Sequence, residues 1–173
     1  MYIREHTMHS QPIYLFPLHN PQTLPYTYDC LIPLFYLRHI NFLLLLDMDS
    51  FRDVNARYGQ VFGDEVLCDV AKFLIQERDD MIGECCGRMD GELFMCLLRS
   101  DSEQEAFARA ERIREGIAAL RWTRFPEAAV SASGSFVPCG DRQFTHYSQL
   151  VIKAEECLFL AKSDGRNQIR IVN

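Results

Sequence analysis

Apolar and polar positions change their period several times along these 173 residues. "NFLLLLDM", Asn41–Met48, is apolar without alternation and runs into a carboxylate, which fits a strand buried on both faces near the centre of a sheet. A short helix is expected over Phe51–Tyr58, with Asp49 or Ser50 as its N-cap and Gly59 ending it. Val66, Leu67, Val70, Phe73 and Leu74 then recur on one helical face, which predicts a longer helix beginning at Asp64. Asp90-Gly91 is a strong turn signal, so a hairpin closed by a type I′ turn is expected, with Leu93–Leu98 as its second strand. Phe107, Ala110, Ile113, Ile117 and Leu120 mark another amphipathic helix starting near Ser102. "AAVSASGSFV", Ala128–Val137, reads as a strand. Leu150, Ala154, Cys157, Leu158 and Ala161 mark the last helix, capped by Gly165, and "NQIRIVN" reads as a closing strand.

The resulting order, β-α-α-β-β-α-β-α-β, is that of an α+β domain. A hairpin inside a βα…αβ arrangement points to a ferredoxin-like or palm-type sheet, containing antiparallel pairs, of about five strands covered by helices. No G-x-G-x-x-G follows a strand and no Walker A motif occurs, which excludes the usual dinucleotide and P-loop designs. Residues 1–40 differ from the rest. They hold Pro12, Pro17, Pro21, Pro25 and Pro33 and read as an irregular proline-rich arm, with one short helix near Leu34–His39, ahead of a domain spanning 41–173.

Composition narrows the class. Apolar residues make up 48 % and charged residues 24 %, as in a soluble globular domain. A formal net charge of −6 argues against nucleic acid or an anionic membrane as partner, though not against a small anion in a local basic pocket. Leu31–Leu46 is broken by Pro33, Arg38, His39 and Asn41, so no membrane span is expected. The seven cysteines include no C-x-x-C pair, and most fall on apolar faces. Reduced thiols in a cytoplasmic protein are therefore expected, and His6 and His9 lack companion metal ligands.

Several residues could carry chemistry. Asp47 and Asp49 end the first strand, and two carboxylates with the Met48 carbonyl make hard oxygen donors for Mg²⁺. Equally, Asp49 could cap the next helix. In a palm-like sheet the hairpin lies beside this strand, so Glu92 could meet Asp47, an arrangement suited to phosphoryl or nucleotidyl transfer. Lys162 and Arg166 flank a glycine cap, where cations complement a helix C-terminus or could bind a triphosphate. Asn55 and Asp64 stand across a helix–loop–helix, where an amide and a carboxylate could read a guanine edge, although Asp64 is also a fitting N-cap.

In this order and spacing the set resembles the GGDEF domain, the diguanylate cyclase family of bacterial signalling. "DMDSFRDVNARYGQVFGDEVL" is similar to that family's D-x-D-x-F-K-x-x-N-x-x-x-G-x-x-x-G-D-x-x-L motif, and "AKSDGRN" to its A-K-x-x-G-R-N ending; the match runs from about Phe42 to Val172. The resemblance implies condensation of two GTP molecules into cyclic di-GMP across two facing domains, with Mg²⁺ or Mn²⁺. It implies Asp47 and Glu92 as catalytic, metal-binding carboxylates, with the Met48 carbonyl as a further ligand. Asn55 and Asp64 become the guanine readers. Arg52, Lys162 and Arg166 become phosphate contacts, together with the backbone at Ser50 and Phe51.

The chain also departs from the pattern. The signature G-G-[DE]-E-F reads "DGELF", Asp90–Phe94. Asp90 puts bulk and charge where a glycine lets backbone approach the nucleotide; a like-charge pair at ~4 Å costs about 4 kcal/mol at an effective dielectric of 20. Leu93 replaces a carboxylate, and losing ~3 kcal/mol of transition-state stabilisation slows turnover over 100-fold. The inhibitory R-x-x-D is absent, its positions being Met81–Glu84, so no inhibitory site is expected; the D-x-L-T-G-L-x-N-R entry motif is not recognisable either. The expected function is a degenerate guanine-nucleotide-binding GGDEF domain with weak or no cyclase activity, partnered by GTP and by a second GGDEF domain or a signalling protein. The alternatives are an active cyclase and an interaction module that binds no nucleotide.

Overall fold

A computed structural model describes residues 40–77, 84–139 and 147–172. Five strands, β1 Phe42–Met48, β2 Cys85–Asp90, β3 Leu93–Leu98, β4 Ala132–Pro138 and β5 Ile169–Ile171, form one sheet in the order β2-β3-β1-β4-β5. All pairs are antiparallel except β4 with β5. Four helices cover it: α1 Phe51–Tyr58, α2 Gln60–Glu77, α3 Glu103–Ala119 and α4 Tyr147–Ser163. This is the expected α+β sheet of five strands. The proline-rich arm through residue 39, including the helix expected near Leu34–His39, lies outside the described residues.

The unbroken apolar run of β1 has a direct cause. Its side chains alternate between two cores, and both must be apolar. Phe42, Leu44, Leu46 and Met48 join Phe94, Cys96 and Leu98 of β3 under α1, α2 and α3. Leu43 and Leu45 join Met95 and Leu97 under Leu150, Val151, Ala154 and Leu158 of α4. Asp47 continues the second series, so its carboxylate emerges on the α4 face, at the end of the strand.

Three local expectations are corrected. Helix α2 begins at Gln60, so Asp64 lies inside it rather than at its cap. Of the two N-cap candidates for α1, Ser50 holds the position, in the left-handed region at φ 50° and with no side-chain capping bond, while Asp49 is turned elsewhere. The hairpin reverses at Gly91-Glu92, since Asp90 pairs with Leu93 after a register shift between Arg88 and Asp90. Gly91 has φ 48°, whereas Asp90 has no positive φ, which rules out a type I′ turn on Asp90-Gly91. A bulge residue in β2 has moved the turn one place along the chain. Strand β4 also starts at Ala132, later than the apolar pattern from Ala128 suggested. By contrast, α3 starts next to Ser102 as expected, and Ser102 caps it, its hydroxyl accepting from the Glu105 N–H at 3.3 Å.

Candidate nucleotide site

The chemistry-bearing residues gather at the C-terminal end of β1. Asp47 is the cross-strand partner of Leu93 on one side and of Ser133 on the other. The Met48 N–H donates to the Glu92 carbonyl at 3.2 Å, which draws the hairpin tip against the strand end. The Glu92 carboxylate lies close enough for its charge to act on Asp47. Lys162, from the last turn of α4, sets its Nζ 2.6 Å from Asp47 Oδ1; the contact is an ion pair by distance, without the alignment of a good hydrogen bond. Burial raises the Asp47 pKa above its ordinary value of 3.8, with Glu92 and Asp49 adding to the rise and Lys162 opposing it.

Two close carboxylates beside a strand-end carbonyl are hard oxygen donors. Mg²⁺ is held by one or two carboxylates, its other positions filled by water and phosphate, and Asp47 with Glu92 fits that mode. Among the described residues no group of three or more His, Cys, Asp and Glu side chains gathers into a fuller cage. Leu93 adds no oxygen: it is half-buried and packs on the α4-side core.

Asn55 packs across the α1–α2 junction against Gly63: a Cβ there would lie 1.8 Å from Asn55 Oδ1, so the amide rests directly on the α2 backbone one residue before Asp64. Aromatic contacts pin this junction, with Phe62 edge-on to Trp122 at 5.5 Å and to Phe125 at 4.7 Å, and Tyr58 tilted against Phe125 at 5.0 Å. Phe51 has a buried side chain, which leaves only its backbone for any ligand. Arg52 and Arg166 are exposed. Arg166 and Asn167 both have positive φ, at 63° and 45°, directly after Gly165 at 113°.

One residue escaped the sequence reading and another plays a part that it did not foresee. Arg88 is half-buried, its Nε donates to the Gly91 carbonyl at 2.5 Å, and Asp64, Asp90 and Glu92 surround it with negative charge. Burial lowers its pKa and those carboxylates oppose the fall. Asp90 is exposed, and its charge acts on this guanidinium. The arginine two residues before Asp90 was the available signal. The other is Asp49, which was expected to cap α1 or to help hold a cation. It is buried instead, with Oδ1 accepting from Ser133 Oγ at 2.7 Å, and Oδ2 accepting from Ser131 Oγ at 2.7 Å and the Asn167 N–H at 3.0 Å. At the position of the missing inhibitory motif, Glu84 is buried and takes Arg109 Nη1 at 2.5 Å and the Arg99 N–H at 2.9 Å.

A family model described as "Diguanylate cyclase, GGDEF domain" matches residues 36–168. The chain belongs to the GGDEF family. It is 33 % identical over 127 residues to diguanylate cyclase DgcM of Escherichia coli (strain K12), a match covering 73 % of this chain and 30 % of that protein. It is 32 % identical over 124 residues to a diguanylate cyclase of Vibrio cholerae, covering 71 % and 37 %. The chain thus spans about a third of the length of these curated relatives. Among solved structures, the active GGEEF domain of a Vibrio cholerae diguanylate cyclase superposes with a TM-score of 0.73 at 25 % identity, over 87 % of this chain and 99 % of that one. Diguanylate cyclase SiaD of Pseudomonas aeruginosa, solved with its activator SiaC, also reaches 0.73 at 28 % identity, over 84 % and 58 %. No helix among the described residues is long and apolar enough to cross a membrane.

Proposed function

We propose that this domain acts in cyclic di-GMP signalling as a guanine-nucleotide-binding GGDEF domain with weak or no cyclase activity. Asn55 and Asp64 read the guanine edge. Lys162, Arg166 and Arg52, with the backbone N–H groups at Ser50 and Phe51, contact the phosphates of GTP. Asp47, Glu92 and the Met48 carbonyl hold Mg²⁺ or Mn²⁺, which when bound neutralises phosphate charge. Lys162 bridges the two subsites, being the cation of Asp47 and standing where a phosphate approaches. The partner is a second GGDEF domain or a signalling protein, and the compartment is the cytoplasm.

One observation carries the reading of weak turnover: Leu93 stands directly across from Asp47 in the β1–β3 pairing. A carboxylate at that position would face the strand end that carries the cation ligand. Leucine removes the charge and binds the position to the apolar core. The reading of an active cyclase draws on a different observation, the retained closeness of Glu92 to Asp47.

Purified protein incubated with GTP and Mg²⁺ or Mn²⁺ separates the two. The expected result is GTP binding by calorimetry with little or no cyclic di-GMP, and product from the folded Asp90→Gly/Leu93→Glu variant, more than 100-fold above wild type. Rapid, Glu92-dependent product from the wild type establishes the active cyclase instead. No GTP binding at millimolar concentration removes the nucleotide from the account.

A further inference from the structure

Asp49 follows Asp47 by two residues, and its carboxylate turns in toward β4. Its backbone N–H donates to the Ser131 carbonyl at 2.8 Å, continuing the β1–β4 ladder by one rung. Its carboxylate is buried against β4 and meets three donors from two distant parts of the chain. Two are the hydroxyls of Ser131 and Ser133; the third is the Asn167 N–H, in the turn between α4 and β5.

That turn is built to need an anchor. Gly165, Arg166 and Asn167 are three successive residues with positive φ, and two of them carry a Cβ. Backbone bonds fix where it leaves α4, with the Arg166 N–H donating to the Ala161 carbonyl at 3.2 Å. Arg114 Nη1 donates to Asn167 Oδ1 at 2.8 Å from the α3 side. Among the described residues, Asp49 supplies the bond that ties this turn to the β1–α1 loop, the segment holding Met48, Ser50 and Phe51.

We propose that Asp49 is a positioning residue for the phosphates of the nucleotide, acting through Asn167 on Arg166 and through its own backbone on the β1–α1 loop. The inference rests on the guanine-nucleotide reading above and deepens it. It assigns the loop-to-loop distance across the phosphate subsite to one buried carboxylate that does not touch the ligand. The guanine subsite, at the α1–α2 junction, shares none of these bonds.

The separation of subsites supplies the test. GTP and guanosine are titrated calorimetrically, with Mg²⁺, into wild type, Asp49→Ala, Asp49→Asn and Ser131→Ala/Ser133→Ala. Asp49→Ala removes all three bonds, and hydrogen bonds to a charged group justify an expected loss of about tenfold or more in GTP affinity with guanosine affinity unchanged. Asp49→Asn can still accept from the Asn167 N–H and Ser131, and Ser133 can turn its hydroxyl to accept from the amide, so recovery to within about threefold of wild type is expected. Hydrogen exchange at Asn167 reads the anchor without any nucleotide: its amide loses protection in Asp49→Ala and keeps it in Asp49→Asn. If Asp49→Ala does not fold, the double serine variant carries the same comparison, with a smaller expected loss. Wild type that binds GTP while both ligands weaken together, or while neither changes, overturns the inference and leaves the proposed function standing. Wild type that binds no GTP overturns both.

Discussion

Gly63→Ala separates stability from recognition at the proposed guanine-reading residues. Gly63 is buried in the first turns of α2, where alanine is intrinsically favoured by about 1 kcal/mol. The new Cβ would stand 1.8 Å from Asn55 Oδ1 and 2.9 Å from its Cγ, and 3.2 Å from the Phe51 ring tip. The first two distances are far inside contact, so something must move. What moves most cheaply is the end of the half-buried Asn55 side chain, not backbone. The propensity gain and the displacement then roughly offset, and stability in urea should stay within about 1 kcal/mol of wild type. Recognition should suffer alone: displacing one amide from the base edge removes an interaction of about 0.5–1.5 kcal/mol, a threefold to tenfold weaker Kd for GTP by calorimetry. On an Asn55→Ala background the same substitution should cost no further affinity, a coupling as large as the effect itself. Unchanged GTP affinity in Gly63→Ala, or the same loss without Asn55, would refute the reasoning. A loss of more than about 2 kcal/mol of stability would show that the backbone gives way instead.

Asp47 supports a prediction in which stability and ligand binding oppose each other. Its pKa is raised in the folded state, so the stability it contributes is fully present below the ordinary value of 3.8 and is lost as pH rises through the folded value. Asp47→Asn should therefore melt higher than wild type at pH 7, with the gap closing under acid, while Mn²⁺ binding followed by electron paramagnetic resonance is lost; a lower melting temperature at pH 7 contradicts this. For the same reason, wild-type Mn²⁺ affinity should begin to fall at a higher pH than an ordinary carboxylate would give. Arg109→Met should cost about 3–5 kcal/mol in chemical denaturation, because it removes the ion-pair partner of the Glu84 carboxylate, whose side chain is 0 % exposed; a cost under about 1 kcal/mol contradicts this. Trp122→Phe should cost about 1 kcal/mol by the same assay, since Trp122 Nε1 donates to Asp69 Oδ2 at 3.0 Å, and an unchanged midpoint speaks against that bond.

Much of the fold could be read from local pattern because the pattern has local causes. The Leu43–Leu46 run is apolar because both faces of β1 are covered, and the helical faces of α3 and α4 show the period of their burial. Asp47, Glu92, Asn55 and Asp64 were singled out by motif spacing, and the structure sets the Glu92 hairpin against the strand end that carries Asp47. What stayed hidden depends on partners far along the chain. The hydrogen-bond partners of Asp49 lie 82, 84 and 118 positions away, and nothing near Asp49 distinguishes a buried anchor from a helix cap or a cation ligand. The turn type was misread because a bulge opposite β3 is a property of the pair of strands, not of the Asp-Gly dipeptide. The start of α2 was misplaced because a fitting N-cap residue, Asp64, lies inside a helix that begins directly after Gly59.

The central place of β1 has a consequence for how the chain comes to be folded. This strand is made before all of its partners, and both of its edges are filled by strands that follow much later, β3 and then β4. At roughly 5–20 residues per second of synthesis, the run Phe42–Leu46 waits about 3–10 s for the first partner and about twice as long for the second. Through that interval it is an uncharged, β-prone segment with two open edges, the kind of sequence most ready to pair with a neighbouring chain. Pairings over such separations raise contact order, which slows folding. The carboxylates Asp47 and Asp49, closing the run on its C-terminal side, are the first charges to leave the ribosome after it, and they act as gatekeepers against aggregation before either has a ligand or a partner.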